Sequence, residues 1–105
     1  MNRVGLLPDG RVVMLTRHSY TSARVSVGTE TVGHVRTEQK ARRDVGTTEF
    51  MNAKYGEPIA RSLGFGSRDV FVALDGNHRR INHRDYDRIE AAAMAVAEAA
   101  SAIAK

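Results

Sequence analysis

The chain has 105 residues, enough for one hydrophobic core but not two, so a single domain over residues 1–105 is expected. It has no cysteine, which excludes disulfides and thiolate metal ligands, and no signal-peptide pattern or apolar stretch near the roughly 18 residues of a membrane span, which predicts a cytoplasmic protein. The net charge of +4 is uneven, because residues 1–84 hold 14 Lys and Arg against 8 Asp and Glu, and residues 85–105 hold 2 against 4.

Residues 1–37 alternate short β-branched runs with turn residues, a pattern typical of an antiparallel β-meander. Strands are predicted at residues 4–7, 11–17, 23–27 and 31–37. Pro8-Asp9-Gly10 and Gly28-Thr29-Glu30 supply turns, because proline presets one φ angle and glycine accepts a positive one. Residues 38–46 are polar and charged and are predicted to be an exposed connection.

Residues 47–105 are predicted to be mainly helical. Thr47 or Thr48 can cap a short helix that Gly56 ends, and Pro58 can open a second that Gly64 ends. A last helix over about residues 85–104 has the clearest pattern, because nine of the fourteen residues 91–104 are alanine. The predicted fold class is therefore α+β, with an N-terminal antiparallel β-meander followed by a helical region that ends in a long Ala-rich helix.

An apolar stripe follows one side of this last helix at spacings of three and four residues. Such a stripe packs either against the core of its own chain or against a second copy, and small alanines would let two helix backbones approach closely. If a homodimer forms through the stripe, its interface residues are Tyr86, Ile89, Ala93, Val96, Ala100 and Ile103.

Residues 58–96 have the spacing of a helix-turn-helix unit. Apolar residues and glycines stand where two short helices and the start of a third would need them: Ile59-Ala60, Leu63-Gly64-Phe65, Val70, Leu74-Asp75-Gly76, Ile81-Asn82 and Arg88-Ile89-Glu90-Ala91-Ala92. This segment resembles the DNA-binding part of the lactose-repressor-type family of bacterial regulators, with one extra residue between Gly76 and Ile81. The resemblance implies a helix-turn-helix at residues 58–75.

The resemblance also implies which residues would contact DNA. Ser67 and Arg68 would begin the recognition helix, where an arginine can donate two hydrogen bonds to one guanine. Basic residues nearby would contact phosphates. The predicted DNA-binding residues are Ser67, Arg68, Asn77, Arg79, Arg80, Arg84, Arg42 and Arg43.

The stretch from Val70 to Leu74 fits a second structure as well. It is β-branched and aromatic, and in a recognition helix Phe71 and Val72 would turn two apolar side chains toward DNA. It could instead be a buried strand that turns at Asp75-Gly76 into a partner strand around residues 78–81. A helix here would favour DNA binding, whereas a buried strand would favour a protein-binding role.

No catalytic constellation is found in the sequence. His78 and His83 are five residues apart where a helical metal pair needs four, and Gly64-Phe65-Gly66-Ser67 lacks the third glycine of a dinucleotide loop. No enzymatic activity, metal, cofactor or small-molecule ligand is therefore expected.

Two functional hypotheses remain. The leading one is a small non-catalytic DNA-binding regulator or accessory protein that uses a basic surface. The alternative is a small protein-binding inhibitor or adaptor, encoded by a phage or other mobile element, whose β-meander and basic patches meet an acidic protein or nucleoprotein partner. Phe71 as a buried strand residue would support this alternative.

Overall fold

The structure is a computed structural model, and it describes residues 2–39, 59, 63–65 and 69–103. These residues form six strands and one helix: β1 (Asn2–Leu6), β2 (Val12–Ser19), β3 (Ser22–Val27), β4 (Glu30–Gln39), β5 (Asp69–Asp75), β6 (Arg80–Tyr86) and α1 (Ile89–Ile103). All six strands belong to one antiparallel sheet, in which each strand pairs with the next along the chain. Within this described part, no helix is both long enough and apolar enough to cross a membrane.

The predicted N-terminal meander is confirmed as β1 to β4. The turn between β1 and β2 closes with a 2.9 Å hydrogen bond from the amide of Gly10 to the carbonyl of Leu7. Gly10 has a φ of 91° and Gly28, between β3 and β4, has a φ of 64°, so both turns use the conformational freedom that glycine provides.

The predicted fold class was wrong for the second half of the chain. The segment Asp69–Asp75 is strand β5, paired with β4 on one side and β6 on the other, and so the recognition helix of the predicted helix-turn-helix at residues 58–75 is absent. Val70, Val72 and Leu74 are at most 3% exposed, and Phe71 and Ala73 on the opposite face are at most 1% exposed. A central strand buried on both faces needs an apolar residue at every position, whereas a recognition helix needs one polar side.

The other predicted helices have different outcomes. The Ala-rich helix is present but begins at Ile89, because Asp85 and Tyr86 belong to strand β6. Ile59 has helical conformation, and its carbonyl accepts a 3.1 Å hydrogen bond from the amide of Leu63. The helix predicted to begin at residue 47 or 48, and most of the connection at 38–46, lie outside the described residues.

The hydrophobic core lies between α1 and one face of the sheet, here called the helix face. Fully buried side chains from the central strands form its sheet side: Val13, Leu15, Val25, Val35 and Phe71. On the helix side, Ala92, Ala93 and Ala97 are 0% exposed, and their small size lets the helix backbone lie close to the sheet.

The apolar stripe of α1 faces this core. Tyr86, Ile89, Ala93 and Val96 are buried within the chain itself, at 8% exposure or less, and Ala100 is half-buried. The side chain of Ile103 lies outside the described residues. Of the two arrangements that the stripe allowed, the structure therefore has the one in which it packs on its own sheet.

Candidate nucleic-acid interface

The face of the sheet opposite α1, here called the outer face, carries a row of residues that crosses five strands. Cross-strand partners point to the same side of a sheet, so the register shows which residues share this face. Each residue of the row lies opposite the next, in the order Thr16, Arg24, His34, Leu74 and Arg80. The outer face thus collects polar and basic side chains that are distant in the sequence, around the buried apolar residues Val70, Val72 and Leu74 of β5.

Three imidazole rings lie close together on this face. They belong to His18 of β2, His34 of β4 and His78 of the β5–β6 turn, and are here called the histidine cluster. The rings of His34 and His78 are stacked, with centroids 3.8 Å apart and an interplanar angle of 21°, while the His18 centroid lies 5.4 Å from that of His34 and 6.3 Å from that of His78. His34 is 7% exposed, whereas His18 and His78 are exposed to solvent.

Hydrogen bonds define the tautomers of two of these rings. Arg24 Nη2 lies 3.1 Å from Nδ1 of His18, and because a guanidinium only donates, this nitrogen accepts and the His18 proton is on Nε2. His34 Nδ1 lies 3.5 Å from the carbonyl oxygen of Asp75, which only accepts, so Nδ1 is the protonated nitrogen of His34. The neutral His34 ring therefore has its lone pair on Nε2.

The surroundings of His34 disfavour its charged form. Burial lowers the pKa of His34, and the positive charges of His78, His18 and Arg24 lower this pKa further, although the carbonyl of Asp75 opposes them. An anion beside the rings would act in the opposite direction, because it stabilises a protonated imidazole. The cluster is thus suited to meet a negative group.

The β5–β6 turn holds His78 in place. Asp75 Oδ1 accepts hydrogen bonds from the amides of Asn77 (2.8 Å) and Arg79 (3.0 Å), and the Asp75 amide donates to the carbonyl of Arg79 (2.8 Å). His78 has a φ of 63°, in the left-handed region that glycine occupies more readily than a residue with a Cβ atom. The turn thus holds the His78 ring against that of His34.

The arginines of the outer face differ in their partners. Arg36 pairs with Glu38 at 3.3 Å and Arg80 pairs with Asp85 at 3.1 Å. Such exposed ion pairs are worth only about 0–1 kcal/mol, so a phosphate could replace the carboxylate in either of them. Arg24 contacts no carboxylate in the described part of the chain, and its guanidinium is held by the neutral ring of His18.

The predicted DNA-binding residues fall into two groups. Asn77 and Arg79 are exposed in the β5–β6 turn next to His78, and Arg80 and Arg84 are exposed on β6. Arg84 lies over the ring of Tyr86, with Cζ 4.9 Å from its centroid. The remaining four, Ser67, Arg68, Arg42 and Arg43, lie outside the described residues.

The residues predicted to bind did not include Arg36 or any of the four residues His18, Arg24, His34 and His78, and His78 was considered only as a metal ligand. Two of them could have been found from the alternation of polar and apolar residues along the predicted strands. Arg24 and His34 are polar residues between buried positions, which places them on the face of the sheet opposite those positions. Joining them to His78 requires the pairing of β4 with β5 across the intervening segment, and no local pattern specifies that pairing.

The histidine cluster does not have the geometry of a metal site. Two stacked rings cannot direct their in-plane lone pairs at one ion, and Arg24 would repel a cation. Among the described residues, no three His, Asp or Glu side chains are grouped so that they could hold a metal ion.

A separate cleft of about 380 Å³ lies between α1 and the sheet. Its walls combine apolar and polar residues, among them Leu7, Val27, Val32, Val96, Arg11 and Glu30. The Arg11 guanidinium is already bound to Asp9 at 2.7 Å and to Ser101 at 3.2 Å. The outer face is the stronger candidate, because it has three imidazoles and an arginine without a carboxylate partner in the described residues.

No family model, curated protein or solved structure matches this chain. The resemblance to lactose-repressor-type regulators is thus neither supported nor contradicted by these comparisons. The difference that bears on it is structural, because Asp69–Asp75 is a strand where the resemblance implies a recognition helix.

Proposed function

We propose that the protein is a small non-catalytic nucleic-acid-binding protein that binds a single strand across the outer face of its sheet. The observation that carries the proposal is the position of Arg24, Arg36 and Arg80, which come from three strands but share the face opposite α1. Phosphates repeat along a nucleic acid strand, and a row of arginines on one face can contact several of them together. The cytoplasm is the location proposed for this activity.

A single strand suits this surface better than a duplex. A broad sheet face cannot enter the major groove as a helix does, whereas unpaired bases can stack on exposed rings. His18 and His78 offer such rings, and Tyr20 at the β2–β3 turn is 91% exposed, with the Arg17 guanidinium 5.6 Å from its centroid. Stacking of one base on an aromatic ring contributes about 1–3 kcal/mol.

Fluorescence anisotropy with labelled oligonucleotides of one sequence, as single-stranded DNA, single-stranded RNA and duplex DNA, tests the proposal. We expect the single strands to bind more tightly than the duplex. The logarithm of the affinity should fall with the logarithm of the salt concentration by about 0.7 per phosphate contact.

Variants then locate the surface. Arg36→Gln should lower this salt slope by about one contact. Arg11→Gln is the matched control, because it removes the same charge from an arginine held by Asp9 and Ser101 away from the outer face. Absence of salt-sensitive binding, or equal effects of the two variants, would reject the proposal.

A protein-binding role is the second candidate. Phe71 is buried in a strand, as this function predicted. Among the described strands β1 pairs only with β2, so β1 is an edge strand whose outer backbone groups could pair with a strand of an acidic partner. Leu6 on this edge is 50% exposed. A partner recovered with the wild type but lost with Leu6→Lys, together with no oligonucleotide binding, would favour this function over the first.

A further inference from the structure

The histidine cluster and Arg24 point to one type of ligand chemistry. Arg24 and the protonated nitrogens of the rings can only donate hydrogen bonds, and the neutral ring of His18 carries an N–H group at Nε2, because its Nδ1 accepts from Arg24. A tetrahedral oxyanion has several acceptor oxygens and can receive donors from different directions, whereas a planar carboxylate offers two. The donor set therefore fits a phosphate group.

Protonation would increase the number of these donors. The groups around His34 are His18 of β2, Arg24 of β3, and Asp75 and His78 of the β5–β6 turn, with Arg80 further along the same row. The carboxylate of Asp75 adds one negative charge near His78, while its Oδ1 is held by the amides of Asn77 and Arg79. Helix α1 lies on the other face.

Without an anion, His34 resists proton uptake. Two charged rings stacked at 3.8 Å would repel each other, and the positive charge of Arg24 also acts on His34. An anion between the rings and Arg24 removes this repulsion, and an imidazole that takes up a proton from solvent gains a further N–H donor.

We propose that His18, Arg24, His34 and His78 form a binding site for one phosphate group, and that the histidine cluster takes up a proton when the phosphate binds. The proposed function supplies the source of this phosphate, a nucleic acid backbone, but the site itself does not depend on that source. By linkage, the affinity rises as the pH falls through the range in which the free cluster loses its protons.

Sulfate is the first probe, because it is tetrahedral and its charge does not change between about pH 5.5 and 7.5, so any proton taken up belongs to the protein. We expect sulfate to bind roughly tenfold or more tightly at the lower pH, and the imidazole C–H resonances of His34 and His78 to shift on binding. Calorimetry in two buffers of different ionisation enthalpy should show proton uptake.

The fourth histidine provides a matched control. His83 is exposed on β6 and is not a member of the cluster. Arg24→Gln and His78→Gly should abolish the pH-dependent binding, while His83→Gln should leave it unchanged. Sulfate shifts confined to His83, or binding with no pH dependence in the wild type, would overturn the proposal without reference to any variant.

A single-stranded oligonucleotide as the second probe separates this inference from the proposed function. If the cluster binds sulfate with proton uptake but the protein binds no oligonucleotide, the phosphate site stands, its ligand is a small phosphate ester, and the proposed function fails. If the oligonucleotide binds with an affinity that does not depend on pH and that His78→Gly does not change, the phosphate site is wrong and the nucleic-acid function stands.

Discussion

Asp75 and His78 show how single residues shape the outer face. The carboxylate of Asp75 closes the β5–β6 turn through two backbone amides, and its carbonyl oxygen faces Nδ1 of His34. The closed turn then places the ring of His78 on that of His34. The geometry of the histidine cluster therefore depends on a turn whose hydrogen bonds are local.

Substitutions of His78 should show that its backbone conformation lowers the free energy of unfolding. A residue with a Cβ atom at φ 63° costs on the order of 1 kcal/mol, and loss of the stacked ring costs about 0.5–1.5 kcal/mol. His78→Gly loses the stacking but relieves the backbone, so its unfolding free energy should stay within about 1 kcal/mol of wild type. His78→Ala keeps most of the strain and should be less stable than His78→Gly. Urea unfolding of the three proteins measures the order, and equal stability of the Gly and Ala variants would contradict it.

The stability of the turn should depend on acid through Asp75. Hydrogen bonds from the backbone amides of Arg79 and Asn77 hold the pKa of Asp75 below its ordinary 3.8. The folded state then binds a proton less readily than the unfolded chain, so this stabilisation is present above about pH 3.8 and is lost as the pH falls through the folded pKa. Asp75→Asn retains an acceptor oxygen but does not titrate, and should lose less stability than wild type between about pH 5 and 3.

Asp9 provides the comparison for this effect. A hydrogen bond from the backbone amide of Arg11 is the main cause that lowers the pKa of Asp9. Asp9→Asn should therefore reduce the acid sensitivity in the same direction, and the double variant should reduce it further. If the unfolding free energy falls equally steeply with pH in the wild type and the double variant, neither carboxylate contributes to the acid sensitivity.

Residue-level prediction from sequence succeeded where chemistry was local. Asp75-Gly76 was predicted as a possible turn between two strands, and the structure has a turn there between β5 and β6. Asn77 and Arg79, predicted to bind DNA, lie exposed in this turn, and their binding role stays a prediction. The cluster could not be assembled from sequence, because His18 and His34 acquire their neighbours only through the register of four strands. Polar residues at alternating strand positions are common, and nothing in them specifies which ones meet.

At the scale of elements, β5 differs from strands β1 to β4, because its secondary structure could not be predicted from its own residues. Strands β1 to β4 have mostly alternating polarity and are separated by turns, two of which contain Pro or Gly, so each could be predicted from its own residues. Val70–Leu74 is apolar at every position, a pattern that a buried strand and a short buried helix share. This segment forms a strand because it pairs with β4 and β6, and the pairing with β4 joins residues that are far apart in the sequence.

The contact of α1 with the sheet should depend on Gly33. A Cβ atom at this position would overlap Cγ1 of Val96 and lie 2.5 Å from the carbonyl oxygen of Leu74, and a backbone oxygen in a ladder cannot move aside. Gly33→Ala should therefore destabilise the protein by about 1–3 kcal/mol. Gly5→Ala is the control, because its Cβ atom would lie 3.5 Å from the flexible Met94 Sδ, an ordinary contact. Thermal unfolding measures both, and similar melting temperatures for the two variants would contradict the close approach.

The stripe on α1 leads to a separate prediction. Val96 is 1% exposed and packs in the core, so Val96→Asp would bury an unpaired carboxylate and should cost on the order of 4 kcal/mol or more. We expect this variant to unfold, as measured by circular dichroism. Ala91→Asp adds the same charge at an exposed position of the same helix and should remain folded. A folded Val96→Asp monomer derived from a wild-type dimer, seen by light scattering, would instead assign the stripe to a homodimer.

At the scale of the whole molecule, the fold separates charges that the net value of +4 conceals. The outer face carries Arg24, Arg36 and Arg80 against Glu38 and Asp85, while α1 on the other side of the sheet carries Glu90 and Glu98. The uneven charge along the chain thus becomes an uneven charge in space. A flexible polyanion should approach with the outer face toward it, since such fields extend over roughly 8–10 Å at physiological ionic strength.

The last prediction tests this two-sided charge with variants of equal net charge. Arg24→Gln removes one positive charge from the outer face, and Ala91→Glu adds one negative charge at an exposed position of α1, so each lowers the net charge by one. If only net charge attracted the oligonucleotide, both variants would bind equally weakly. Because a contact to phosphate acts locally, we expect Arg24→Gln to lose on the order of tenfold in affinity and about one contact in the salt slope, while Ala91→Glu stays near wild type. Anisotropy titrations at several salt concentrations compare the two variants. Equal losses of affinity would show that the net charge, and not a contact on the outer face, attracts the oligonucleotide.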